Sequence, residues 1–272
     1  MGDLRHEGNL TKDGVKMNAQ NLFDIRGKKA IITGGTRGLG FGMAEGLMES
    51  GCEAVIIGTT DKVFDVADGF KSRGFSCHGV RADFSQREEV YRAFRESVDR
   101  LGGDVDILVT AHGIQRRHSA EDFPINEWDE VLSVNLDSVF ILCQEAGKIM
   151  LRKNSGKIIL VASMISWFGG QTIPAYAASK GGVAQLAKAL SNDWFSRGVN
   201  VNAIAPGYMA TEMNTALLDR ANPRYGQITA RIPAGRWGTP DDMKGACIFL
   251  ASHASDYLGG AVIPVDGGYL VK

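Results

Sequence analysis

Thr33-Gly34-Gly35-Thr36-Arg37-Gly38-Leu39-Gly40 follows the run Lys28-Lys29-Ala30-Ile31-Ile32 and passes directly into a segment, Gly40 to Ser50, with helical spacing of its apolar residues. A strand that ends in clustered glycines and opens a helix is the setting of a phosphate-binding turn. The glycines let the backbone approach a pyrophosphate, and the helix start offers unpaired N–H groups and the positive end of its dipole. The same pattern also serves a plain tight strand-to-helix connection, so the rest of the chain must decide between the two.

Outward from this turn, short β-rich runs alternate with longer helical patterns. The runs are KKAIIT, EAVIIG, FSCHGV, VDILVT, GKIILVA, VNVNAIA and AVIPV. Several are continuously apolar, as strands buried on both faces must be. Helical spacing covers Gly40 to Ser50, Gln86 to Leu101, Glu127 to Met150, Ala175 to Arg197 and Pro240 to His253. The alternation predicts an α/β fold: a doubly wound, Rossmann-like parallel sheet of about seven strands with helices on both faces. No Pro/Ser linker interrupts it, so residues 21–272 read as a single domain and the polar residues 1–20 as a flexible extension.

Composition narrows the function. With 272 residues and 44% hydrophobic content a large core is available, and 30 basic against 31 acidic side chains leave no footprint for nucleic acid or an anionic membrane. No apolar run reaches the roughly 18 residues that span a bilayer, and the N-terminal residues lack a signal-peptide core, so a cytoplasmic location is expected. Cys52, Cys77, Cys143 and Cys247 form no CxxC or Cys/His pattern. They read as packed, reduced thiols, and no metal site is expected.

The spacing TGxxxGxG at Thr33–Gly40 resembles the motif of the classical short-chain dehydrogenases/reductases, and the resemblance extends from Leu22 to Leu270. It implies a nicotinamide cofactor, NAD(P)(H), held by Gly34, Thr36, Arg37, Gly38, Leu39 and Gly40 of the turn. The implied set continues through Thr59, Asp83 and Phe84, then Ala111 and Gly113, and finally Pro206, Gly207, Met209 and Thr211. It further implies a catalytic group of Asn135, Ser163, Tyr176 and Lys180, with Tyr176 and Lys180 also contacting the cofactor, Asn135 anchoring a relay water and Ser163 bonding the reacting oxygen. A homotetramer built through the long helices is implied as well. One motif departs from the pattern: Thr110-Ala111-His112-Gly113 stands where the family has Asn-Asn-Ala-Gly. Thr110 could supply a hydroxyl in place of the bracing Asn, and His112 reads as a packing residue rather than a titrating one.

The chemistry is intelligible from the residues. A free phenol has a pKa of about 10 and is a poor base at neutral pH. Tyr176 and Lys180 lie four apart on a predicted helix, so one face carries both, and a nearby ammonium is expected to lower the phenol's pKa. Arg116 and Arg117 follow Gly113 on the ligand edge of such a sheet, where guanidinium groups suit a carboxylate, though a solvated basic turn is the alternative. Met164, Trp167 and Gln171, with Tyr208, line the expected substrate pocket or simply pack there.

Longer strings, Asn202 to Thr211, Arg231 to Gly238, and Ala254 to Leu258 before Val265-Asp266-Gly267-Gly268, resemble the deoxygluconate branch of the family. The gluconate dehydrogenases come next and the 3-oxoacyl reductases further off. The substrate so implied is a sugar acid. A dinucleotide-sensing or scaffold protein is the reading from another class. For the cofactor, an acid is expected some 20 residues past the glycine turn in NAD enzymes. Gly58-Thr59-Thr60 stands there with Asp61 arriving late, and the resemblance places Arg37 as in NADP-dependent members, where a guanidinium could pair with a 2′-phosphate, so the lean is to NADP(H).

Overall fold

Successive strand residues point to opposite faces, so a run such as Ala30-Ile31-Ile32 needs cover on both sides. The computed structural model, which describes residues 18–19 and 21–272, supplies it. The flexible extension expected at 1–20 falls outside the described residues apart from Asn18 and Ala19. Seven parallel strands form one sheet: β1 (Lys29–Thr33), β2 (Glu53–Gly58), β3 (Cys77–Arg81), β4 (Ile107–Thr110), β5 (Gly156–Val161), β6 (Val199–Pro206) and β7 (Val262–Val265). Their order is β3-β2-β1-β4-β5-β6-β7.

On one face α1 (Gly38–Glu49), α2 (Lys62–Ser72) and α9 (Lys244–Ala251) bury Ala30, Ile32, Ile56 and Val109. The other face is covered by α3 (Arg87–Arg100), α5 (Ser138–Lys153) and α6 (Pro174–Trp194), which bury Ile31, Val55, Leu108 and Leu160. Three short helices, α4 (Ile125–Leu132), α7 (Thr215–Leu218) and α8 (Pro223–Arg231), belong to the ligand edge. There Met164, Ile228, Ile232, Trp237 and Tyr269 form a third, smaller cluster.

β1 pairs with both β2 and β4, so the chain winds outward in both directions from this point. A sheet that reverses in this way opens a crevice at the carboxyl ends of the two central strands. All four cysteines are buried, and burial pushes the thiols of Cys52 and Cys77 up to about 12, which suits packing rather than reactivity. No helix among the described residues is long and apolar enough to cross a membrane.

Several elements differ from the sequence expectation, among them the helix expected over Pro240–His253, which is a 3₁₀ turn at Pro240–Met243 followed by α9, and the short α7. Helix α2 was not anticipated, although Val63, Ala67 and Phe70 recur at helical spacing and are its buried residues; Gly69 obscures the pattern. The helix expected over Glu127–Met150 is divided, with a π-helical turn at Ser133–Asp137 between α4 and α5. Helix α8 also went unread, although Asn222-Pro223 is a cap signal and the Asn222 side chain accepts from Arg224 N–H.

The substituted motif after β4 is braced differently from the expectation. The Thr110 hydroxyl is buried with no hydrogen-bond partner among the described residues. Instead His112 spans the gap: Nδ1 lies 2.6 Å from Thr33 Oγ1 and Nε2 2.6 Å from Ser138 Oγ. Ser138 gives its hydrogen to Val134 O at 2.7 Å and Thr33 Oγ1 takes one from Ala111 N–H. One neutral tautomer, protonated at Nε2, satisfies the whole chain of bonds. Burial, with Lys180 nearby, pushes His112 down to about 3, and Phe84 stacks on it at 3.9 Å. His112 is therefore a neutral brace between β1, β4 and α5. Because an unpaired buried hydroxyl is costly, Thr110→Val is expected to leave stability unchanged or raise it by about 1 kcal/mol, as thermal denaturation would show; a clear loss would reveal a partner for that hydroxyl.

Candidate active site

The glycine turn sits at the switch point. Gly34 has φ +68°, and a Cβ on it would come 2.9 Å from Ala111 O. At Gly40 a side chain would collide with the Gly34 carbonyl, so the turn closes only with glycine there. Thr36 packs over the end of β2 against Gly58, and no side chain caps α1 at Arg37. The first-turn N–H groups of α1 thus point into the crevice as an anion cradle. Asp83 and Thr59 border a cleft with Arg81, Gln86 and Glu89 at the β3 end. Asp61, largely exposed, pairs with Arg81 of that cleft at 3.0 Å. On the other side Gly207, whose N–H bonds Val265 O, and buried Met209, bridged to Gly238, lead to Thr211, whose methyl faces Gly38. These surroundings fit a dinucleotide: a glycine cradle, a free helix start and a cleft for a base.

Asn135 lies in the π turn and is fully buried. Its Oδ1 accepts Ile114 N–H at 2.8 Å, and Nδ2 donates to Ile114 O at 2.9 Å and to Ser179 Oγ at 3.1 Å. A π turn is a frequent mark of a functional site. Here it lets one amide clamp the segment after β4 to α6, the helix of Tyr176 and Lys180. Both Nδ2 hydrogens are engaged in that clamp.

Ser163 follows β5, its Oγ accepting Ile165 N–H at 3.2 Å, and its hydroxyl faces the Tyr176 phenol closely enough to act on its pKa. Lys180 is buried, with Nζ donating to Val161 O at 2.6 Å and lying 5.8 Å from the centre of the Tyr176 ring. The expectation of a lowered phenol pKa is corrected here. Burial raises Tyr176, and the Ser163 hydrogen bond only partly opposes it. Burial also pulls Lys180 down to about 8, because its ammonium is desolvated.

The two arginines part company. Arg116 is held bidentately by Glu130 at 2.9 and 3.0 Å, which takes it out of the expected carboxylate site. Arg117 bonds only the neutral Gln115 Oε1 at 3.0 Å in the contacts described, and its charge reaches Tyr208. Tyr208 packs edge-on against Trp237 and Tyr269, and Met164 lies in the same apolar cluster. Gln171 and Trp167 are exposed on the loop before α6. Three residues of this rim were not singled out from the sequence: Arg224, whose charge also reaches Tyr208, Tyr269, and Glu212, which pairs with Arg37. Asn222-Pro223 could have flagged Arg224; for Glu212 no local signal exists.

A seven-stranded sheet with its glycine cradle at the switch point and a Ser, Tyr and Lys gathered at the ends of β5 and α6 defines a nucleotide-dependent oxidoreductase. The family model described as enoyl-(acyl carrier protein) reductase matches residues 34–270, and the chain belongs to the short-chain dehydrogenase/reductase family. It is 46% identical over 252 residues to the 2-dehydro-3-deoxy-D-gluconate 5-dehydrogenase of Pseudoalteromonas atlantica, covering 91% of this chain and 98% of the relative. To the gluconate 5-dehydrogenase of Gluconobacter oxydans it is 36% identical over 258 residues, 94% of this chain and all of that protein. Among solved structures, the Burkholderia cenocepacia gluconate 5-dehydrogenase in complex with NADP and tartrate superposes with a TM-score of 0.89 at 39% identity, covering 94% of this chain and 100% of that one.

Proposed function

We propose that this NAD(P)-dependent oxidoreductase interconverts an alcohol and a ketone on a six-carbon sugar acid, with 2-dehydro-3-deoxy-D-gluconate, or its 2-deoxygluconate counterpart, as substrate and NADP(H) as the preferred cofactor. The observation that carries the chemistry is the meeting of Ser163, Tyr176 and Lys180 beside the glycine cradle. When bound, the nicotinamide supplies or accepts the hydride at the carbon bearing the reacting oxygen. Ser163 donates a hydrogen bond to that oxygen and Tyr176 gives or takes its proton. Lys180, over the ring of Tyr176, would also hold the nicotinamide ribose, and Asn135 keeps the β4 exit in register with α6. Gly34, Thr36, Gly38, Leu39, Gly40, Ala111 and Gly113 would hold the pyrophosphate and nicotinamide ribose, with Asp83 and Phe84 at the adenine. Pro206, Gly207, Met209 and Thr211 would line the nicotinamide.

The relatives' names support a sugar-acid substrate, and Arg117 supplies a cation for its carboxylate at the Tyr208 wall, where Met164 adds an apolar surface and Gln171 a rim contact. For the cofactor, Arg37 is exposed at the turn, and the β2 end carries Gly58-Thr59-Thr60 where NAD enzymes place an acid, Asp61 lying beyond it in an ion pair with Arg81. The deciding experiment is an assay of 2-dehydro-3-deoxy-D-gluconate, gluconate and 3-oxoacyl substrates with both cofactors. Turnover of the deoxy sugar acid with NADPH above NADH is expected, and Arg37→Ala should weaken NADPH about tenfold more than NADH. Activity confined to oxoacyl substrates, or equal losses for both cofactors, would refute the corresponding part.

We also assign the protein to the cytoplasm and to a homotetramer. Exposed Ile125, Phe140, Tyr257 and Val271 on α4, α5 and the C-terminal segment supply apolar surface for such contacts. Light scattering should return four times the monomer mass; a monomer at micromolar concentration would refute the assembly.

A further inference from the structure

We propose that Glu212 tunes the choice between the two dinucleotides by acting as the counter-ion that a 2′-phosphate must displace from Arg37. The inference rests on the reading of Arg37 given above. Arg37 Nη1 and Glu212 Oε2 are 2.5 Å apart although 175 residues separate them in the chain, so the pair joins the glycine turn to the segment that follows β6.

Its position is set by neighbours rather than by chance. Thr211, next to Glu212, packs its methyl over Gly38, and its N–H bonds the carbonyl of buried Met209 at 2.9 Å. The Glu212 carbonyl accepts from Thr215 Oγ1 at 2.8 Å, and Asn214 Nδ2 donates to Met209 O at 2.9 Å. The main chain at Glu212 is thereby fixed over the turn. Another acid near the β2 end, Asp61, is engaged with Arg81. Arg37 and Glu212 are both largely exposed, so their pairing is weak and easily exchanged.

The consequence for the cofactor follows from charge. A 2′-phosphate binds a guanidinium through paired charge-assisted bonds and can replace the carboxylate. It must, however, break the existing pair and settle beside a released negative charge. A ribose with two free hydroxyls makes no such demand and leaves the pair standing. Glu212 therefore holds back NADPH binding while leaving NADH nearly untouched, so Arg37 and Glu212 together set the selectivity.

The test is calorimetric titration of NADPH and NADH into wild type, Glu212→Gln, Arg37→Ala and the double variant. Glu212→Gln is expected to tighten NADPH by about three- to tenfold, the scale of an exposed ion pair plus a relieved repulsion. NADH should change less than about twofold, and the gain should vanish in the Arg37→Ala background. Equal shifts for both cofactors, or a gain that survives without Arg37, would overturn the proposal. If Arg37→Ala loses NADPH selectively while Glu212→Gln changes nothing, the Arg37 reading stands and this inference alone fails. If Arg37→Ala weakens both cofactors equally, the reading beneath it fails first.

Discussion

Tyr176→Phe is expected to lower kcat by about 10³-fold, within the range that a positioned acid–base group contributes, while the dissociation constants for NADPH and NADH stay within about twofold. The substitution removes one oxygen and almost no volume. Tyr176 stands on the first turn of α6 with its phenol facing Ser163 and the Lys180 ammonium over its ring. The phenyl ring can keep that packing. What is lost is the O–H that moves a proton to or from the reacting oxygen, and Ser163 does not replace it, since an aliphatic hydroxyl is far too weak an acid. Stopped-flow turnover alongside cofactor titration separates the two outcomes. Turnover within a few-fold of wild type would exclude Tyr176 as the proton-transferring group, and a large fall in cofactor affinity would mean that the hydroxyl holds the ribose instead.

The sheet was legible because most of its strands are apolar runs with a helix-period segment or a turn signal beside them, and the glycine turn fixes where the winding reverses. The Ser, Tyr and Lys group was legible for a different reason: its members lie in ordered motifs whose spacing survives without an alignment. The rim of the site was not. Arg116 and Arg117 are adjacent and chemically identical, and only the position of Glu130 on α4 decides that the first is neutralised. His112 and Thr110 offer the same lesson inside the core. A threonine could brace the sheet in place of an asparagine, yet the hydroxyls that pair belong to Thr33 and Ser138, one on each nitrogen of the His112 ring, and the Thr110 hydroxyl has no partner among the described residues. Such outcomes depend on distances between segments far apart in the chain, about which local patterns are silent. The phenol's raised pKa is of the same kind, because four-residue spacing brings Lys180 to the face of Tyr176 but says nothing of how far each is withdrawn from water.

Lys180→Met is expected to abolish activity, by about 10³-fold or more in kcat/KM, and yet to leave the fold as stable as wild type or more so. The ammonium is buried and held at about 8, against 10.5 for a free lysine, so the folded state disfavours its charge by about 3 kcal/mol. Methionine has similar length, carries no charge, and forfeits the bond to Val161 O, which costs back about 1–3 kcal/mol. The balance predicts a gain of up to about 2 kcal/mol near neutrality. The pH dependence gives this a sign. Below about 8 both folded and unfolded chains hold the proton, the burial cost is fully present, and Lys180 contributes no slope. Between about 8 and 10.5 the unfolded chain binds the proton and the folded chain does not, so this group makes wild-type stability rise with pH. That rise should be missing from Lys180→Met, and the two stability curves should converge as pH increases. Denaturant unfolding at several pH values measures both. A variant less stable than wild type at pH 7, or one that keeps the same rise, would show that Lys180 is a paired structural cation. The expected result would instead mark it as a charge held in the core at a cost to stability, for a chemical role.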